Sequence, residues 1–246
     1  DKVDDSEEAG LSCKNIQLSY YTFVSCWTDS EEESIPLWKM YAGKEMHGIR
    51  ISLDSDMFLK YHIPSGRFYG VDVYSKNEKS SILPIEKIVT KDYLVVPSFN
   101  DSEMFFKKVL YVDNPFSEMR DVVQIQDMGN GEGAMKMNLK KIGLYKRKCW
   151  AFQKEHRFTL TILPNIWGDI DINQMPKRIM QAVYDRIPPK LSFFDLEINP
   201  ELLSKMKITL SPICSEAEKV IVESIVQKFA PKAIIRESML KGLINR

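Results

Sequence analysis

The sequence predicts an α+β protein, with a mixed central sheet, flanking helices and a C-terminal β-α-β unit. Three observations carry that prediction. Short aromatic and β-branched runs recur between turn signals, as half-buried or buried strands require. Helical periodicity is confined to a few bounded segments. The last forty residues read strand, capped helix, strand. No internal repeat or low-complexity linker interrupts residues 18–246, which are expected to form a single domain. Residues 1–17 are expected to be a flexible N-terminal segment, because Asp1–Gly10 carries five acids against one lysine and almost no apolar anchor.

Leu18–Trp27 is an aromatic-rich strand candidate. An acidic run, Asp29–Glu33, leads to Ser34 as N-cap, with Pro36 in the first turn and Gly43 past the end of a short helix. Leu37, Trp38 and Tyr41 share one face of it. His47-Gly48 marks a turn, and Ile49, Ile51 and Leu53 alternate with polar residues as a strand. Asp56–Tyr61 is expected to be a brief helix, followed by strands at Phe68–Tyr74, Tyr93–Val96 and Val109–Val112. The span 113–143 is the least regular. Its Gly129-Asn130-Gly131-Glu132-Gly133 run signals a turn, without the Gly-Lys-Ser/Thr ending of a phosphate loop.

Trp150–Phe158 reads as a strand that puts Gln153, Glu155 and Arg157 on one face and Trp150, Phe152 and Phe158 on the other. A carboxylate between an amide and a guanidinium is either a catalytic row or a satisfied ion pair, and the pattern alone leaves both open. Asn173–Arg186 is a helix candidate closed by Pro188-Pro189. Met206–Leu210 is a strand, Ser215 and Glu218 have capping-box spacing, and Ile221, Val222, Ile225, Val226 and Phe229 form the apolar stripe of the helix. Ala233–Ile235 resumes as a strand.

Among 246 residues, 44% hydrophobic and 28% charged, 34 basic side chains balance 34 acidic ones, so no global field draws nucleic acid or an anionic membrane. Locally, residues 136–157 hold eight lysines and arginines against one acid, with Lys146, Arg147 and Lys148 at the centre. That stretch is a solvated face or a groove for phosphates. The four scattered cysteines fit reduced thiols and a cytoplasmic setting, and no apolar run suffices to span a bilayer. No Cys/His/Asp spacing indicates a metal site.

Ser25-Cys26-Trp27, Leu37-Trp38-Lys39-Met40-Tyr41-Ala42, His47-Gly48-Ile49, Val109-Leu110-Tyr111, Cys149-Trp150 and Glu155-His156-Arg157, in that order and spacing, resemble a widespread bacterial family of unknown function found with phage-defence (abortive infection) genes. The resemblance implies a defence or toxin-like role and a defence-system partner protein. Gln153 stands where that family has the first Glu of its Glu-x-Glu pair. More distantly, a Ser/Thr-bearing strand followed by Gln-x-Glu resembles the ADP-ribosyltransferase superfamily. That likeness implies NAD as cofactor and a protein or nucleic-acid acceptor. It makes Glu155 the residue stabilising an oxocarbenium-like state, with Gln153 orienting the acceptor. Ser25 and Thr28 are then expected to support the substrate, together with Trp38, Tyr41, His47 and Arg157. The alternative is a non-enzymatic sensor or interaction module that binds nucleic acid or a phage component through the basic stretch.

Overall fold

In the computed structural model, residues 12–13, 16–63, 65–68, 71–73, 80–129, 132–166 and 173–244 are described. Its main elements, in chain order, are β1 (Thr22–Thr28), α1 (Ile35–Tyr41), β2 (Ile49–Ser52), β3 (Tyr93–Val95), β4 (Phe106–Lys108), β5 (Leu110–Val112), β6 (Val123–Gly129), β7 (Glu132–Met137), β8 (Tyr145–Arg147), β9 (Glu155–Pro164), α2 (Met175–Tyr184), β10 (Lys207–Leu210), α3 (Glu216–Phe229) and β11 (Ile234–Arg236). The fold class is α+β. The chain divides into two compact units, 1–29 with 61–195 and 30–60 with 196–246.

The first unit is organised by β9, a ten-residue strand whose length lets it pair with three partners. Along its first part β4 lies on one edge and β1 on the other, and its end pairs with β3. All three pairings are antiparallel. Both faces of β9 are covered, yet they differ in kind. Phe158, Leu160 and Ile162 alternate with Glu155, Arg157, Thr159 and Thr161, and every one of these is buried. The apolar face continues into aromatic packing, with Phe106 stacked on Phe158 at 4.6 Å and Phe105 tilted against it at 5.2 Å between centroids. A second core gathers Ile16, Leu18, Tyr21, Val122, Ile142 and Val183.

In the second unit β10 pairs antiparallel with β2 and parallel with β11. This three-stranded sheet is the mixed one, and β10-α3-β11 is the expected β-α-β unit. The α1 helix starts as its sequence indicates: Ser34 Oγ accepts from Leu37 N at 3.4 Å, and Gly43 adopts φ +76° just beyond it. At α3 the capping box is complete, with Ser215 and Glu218 each bonding the other's backbone N–H.

Several elements differ from expectation. Leu18–Tyr21 is a 3-10 turn, so the first strand begins at Thr22. Asp56–Tyr61 forms no helix, because Phe58 bridges to Ile198 and Leu59 N bonds Glu197 O at 2.7 Å. Part of the irregular span is a hairpin, β6 against β7, with Gly129 opposite Glu132. Residues 130 and 131 lie outside the described residues, as do 1–11 and Tyr74. Of the apolar stripe on α3, Val226 alone is fully buried, whereas Ile221, Ile225 and Phe229 are exposed. No helix among the described residues is long and apolar enough to cross a membrane.

Candidate functional site

The stretch around Trp150 does not form one strand. Lys148–Gln153 is a 3-10 helix, Lys154 closes it at φ 45°, and β9 begins only at Glu155. This corrects the expected row and has a clear physical reason. An extended chain would separate Gln153 from Glu155 by roughly 7 Å along the strand. The left-handed Lys154 instead folds Gln153 back, so that a single amine, Lys146 on β8, reaches both side chains. Lys146 Nζ donates to Gln153 Oε1 at 2.8 Å and to Glu155 Oε2 at 3.0 Å. Trp150, whose ring centroid lies 5.1 Å from that amine, flanks it, while Phe152 is left exposed.

On its other side Glu155 meets Arg157, two residues along the same face, with Nε to Oε1 at 2.6 Å. Arg157 Nη1 continues to Gly143 O at 3.1 Å. The Glu155 backbone N–H donates to Tyr111 Oη at 2.9 Å. Across the β1 register Thr28 lies opposite Glu155 and Cys26 opposite Arg157, so both share the carboxylate's face. The Cys26 thiol hydrogen-bonds to it. Burial pushes the Glu155 pKa up, but the Arg157 hydrogen bond and charge, with Cys26 and Lys146, outweigh it and hold the carboxyl below its usual range.

Lys107, opposite Arg157 on β4, adds a further buried cation. Its amine donates to Leu139 O and Ile142 O, both at 2.7 Å, and burial followed by the neighbouring guanidinium lowers its pKa to about 8. Sequence reasoning missed Lys107, Cys26 and Tyr111. A signal for the first existed, since Lys107 and Val109 stand two apart, as residues of one strand face do, and both are buried.

The remaining expected site residues are distributed as follows. Ser25 lies opposite Phe158, on the face away from Glu155, and accepts from the Trp27 indole at 2.9 Å. Trp38, Tyr41 and His47 belong to the second unit. There Trp38 is buried with its indole N–H on Glu33 Oε2 at 3.0 Å, Tyr41 is exposed, and His47 Nδ1 sits 2.5 Å from Glu218 Oε1. The basic stretch does not present one cationic surface. Lys146 and Arg157 are buried, Arg147 donates to Asp113 O at 3.0 Å, Lys148 pairs with Asp113 at 2.8 Å, and Lys140 pairs with Glu103. Among the described residues no group of three His, Cys, Asp or Glu side chains could hold a metal ion.

Comparison with protein-family models, with curated proteins and with solved structures found no match.

As chemistry, the Glu155 cluster is an ion network. One carboxylate stands against three buried cations, and the excess positive charge is met by the carbonyls of Leu139, Ile142 and Gly143 and by the Gln153 amide oxygen. Such a cluster ties β9, β8, β4 and the 139–143 turn together, and removing one member leaves an uncompensated buried charge.

Proposed function

We propose that this chain is a non-enzymatic interaction module of a bacterial defence system, in which Glu155 holds the sheet together. One observation carries the reading. Both carboxylate oxygens of Glu155 are taken, by Arg157 at 2.6 Å and Lys146 at 3.0 Å, and the residue is 5% exposed. A carboxylate that stabilises a developing oxocarbenium ion has to face the sugar with its charge uncommitted. The cost of withdrawing Glu155 from two cations in a buried setting opposes that use. Ser25, turned to the opposite face, weakens the transferase reading further.

The defence setting comes from the family resemblance. The partner class is a protein of the defence system or of the phage, because the basic stretch spends Lys146 and Arg157 inside the fold and pairs Lys140 and Lys148 with acids. A cytoplasmic location fits four cysteines outside disulfides, two of them exposed. The decisive experiment follows nicotinamide release from NAD, with cell extract as acceptor, and NAD binding by calorimetry. The module reading expects neither. Release that disappears in a folded Glu155→Gln variant overturns it and puts NAD-dependent ADP-ribosyl transfer in its place. Nucleic-acid binding at low salt that fades steeply as salt rises would instead return the partner to phosphates.

A further inference from the structure

His156 on β9 holds an unanswered ring nitrogen. Its side chain is 15% exposed and stands in register between Lys108 of β4 and Trp27 of β1. The ring stacks on Phe106 at 5.2 Å between centroids. Nδ1 is buried and has no hydrogen-bond partner among the described residues. Native folds leave few such atoms. The carboxylate placed to answer it is that of Asp29, whose Oδ2 lies 3.7 Å away, beyond hydrogen-bond reach but within a side-chain adjustment of it.

Asp29 follows directly on β1. Its backbone N–H donates to Lys154 O at a long 3.3 Å, and after it the chain leaves the first compact unit for the second. The side chain is 46% exposed, and Lys108 Nζ lies 4.0 Å from the same Oδ2. Among the described residues, Asp29 and Lys108 are thus the charged groups facing His156 from beyond β1 and from β4. Trp27 and Phe106 face it without charge, while Glu155 and Arg157, its neighbours along β9, project from the other face. Tyr111 of β5, which feels the charge of Asp29, keeps its proton, because burial raises its pKa.

Protonation changes what this geometry favours. A neutral imidazole carries one N–H, whereas imidazolium carries an N–H on both nitrogens and a full charge. Burial opposes that charge unless a partner meets it. Closing the gap to a charge-assisted contact of about 2.8 Å supplies the partner. Lys108, 72% exposed and charged on both sides of neutrality, adds no pH dependence of its own.

We propose that His156 and Asp29 form a proton-operated latch. Below neutrality His156 closes on Asp29 and fastens the end of β1 to β9, where the chain passes to the second unit. The latch goes beyond the interaction-module reading and does not depend on it.

A double-mutant cycle on the whole chain tests it, with the wild type, His156→Gln, Asp29→Asn and the double variant unfolded in urea at about pH 5.5 and about pH 8. His47 and His62 are present in all four proteins, and loss of the Asp29 contact with Lys108 is common to both Asp29→Asn proteins, so these contributions cancel. A coupling of about fivefold or more in the folding equilibrium constant is expected at the acid pH, and less than about twofold at the alkaline one. In the wild type, the Asp29 amide should exchange about threefold more slowly, relative to its intrinsic rate, at the acid pH than at the alkaline one. Should a variant fail to fold, that exchange measurement decides alone. Absence of coupling at the acid pH, equal coupling at both pH values, or an Asp29 amide whose protection does not rise would each overturn the latch.

Discussion

Lys107 and Arg157 face each other as paired residues on β4 and β9, and both donate to carbonyls of one turn, 139–143. Two like charges on neighbouring strands would ordinarily repel. Here the turn supplies Leu139 O and Ile142 O to one and Gly143 O to the other, and Glu155 neutralises the guanidinium. The second-unit counterpart is smaller: Glu218 closes the α3 capping box and at the same time holds His47. These relationships make specific predictions.

Replacing Glu155 by Gln keeps the shape of the side chain and removes its charge. Lys146 and Arg157 then remain buried beside a neutral amide. A loss of about 3–5 kcal/mol is expected from breaking one side of a buried pair, read as a lower urea midpoint. A double variant, Glu155→Gln with Arg157→Met, should lose less than the sum of the two single losses, because the orphaned guanidinium goes with it.

The same carboxylate sets an acid dependence. Its folded pKa lies below the ordinary value, so the folded state binds the proton less readily than the unfolded state. Its contribution is therefore fully present above the unfolded value of about 4.3 and is lost as pH falls through the folded value. Urea midpoints of the wild type and Glu155→Gln, measured from neutral to acid pH, should converge on the acid side.

Lys107 works in the other direction. With a folded pKa of about 8 against about 10.4 in the unfolded chain, the unfolded state holds more protons in between. Stability contributed by this group therefore rises with pH across that window, as the buried amine becomes neutral. Relative to Lys107→Met, the wild type should gain stability between about pH 8 and 10.4. Parallel curves for the two proteins would contradict the assigned burial cost.

Gly143 occupies φ +70°, and its carbonyl reaches Arg157. A Cβ there would find only ordinary contacts, the nearest being Thr159 Oγ1 and Val24 Cγ1 at 3.9 Å. The cost of Gly143→Ala is thus conformational, about 1 kcal/mol for the left-handed backbone. Chemical denaturation should show that loss without a change in the cooperativity of unfolding.

In the second unit Ser215→Ala removes the side-chain half of the capping box. About 1 kcal/mol is expected. Glu218, whose pKa is held down at about 2 by the Ser215 backbone N–H, the Ser215 hydroxyl and His47, should keep its cap in place well below the usual carboxylate range. Helix content followed by circular dichroism in acid, for the wild type and Ser215→Ala, checks both statements.

What the sequence determined by itself is local. The capping box at Ser215 and Glu218, the Ser34 cap, the Gly43 stop and the strand-helix-strand order at the C-terminus rest on contacts within a few residues, and each is present in the fold. Period-two alternation likewise put Glu155 and Arg157 on one face. Tertiary structure alone decided the rest. Whether Trp150 extends the strand depended on Lys146, seven residues before Gln153, needing two acceptors in a buried space. Whether residues 136–157 form a cationic surface depended on which of their amines turned inward. Whether Ile221 and Ile225 meet a core depended on how little of α3 its own unit covers. Periodicity sorts side chains by face, but burial of a face and the partner of a charge arise from chain segments far apart in sequence, and the α3 stripe is left exposed for that reason.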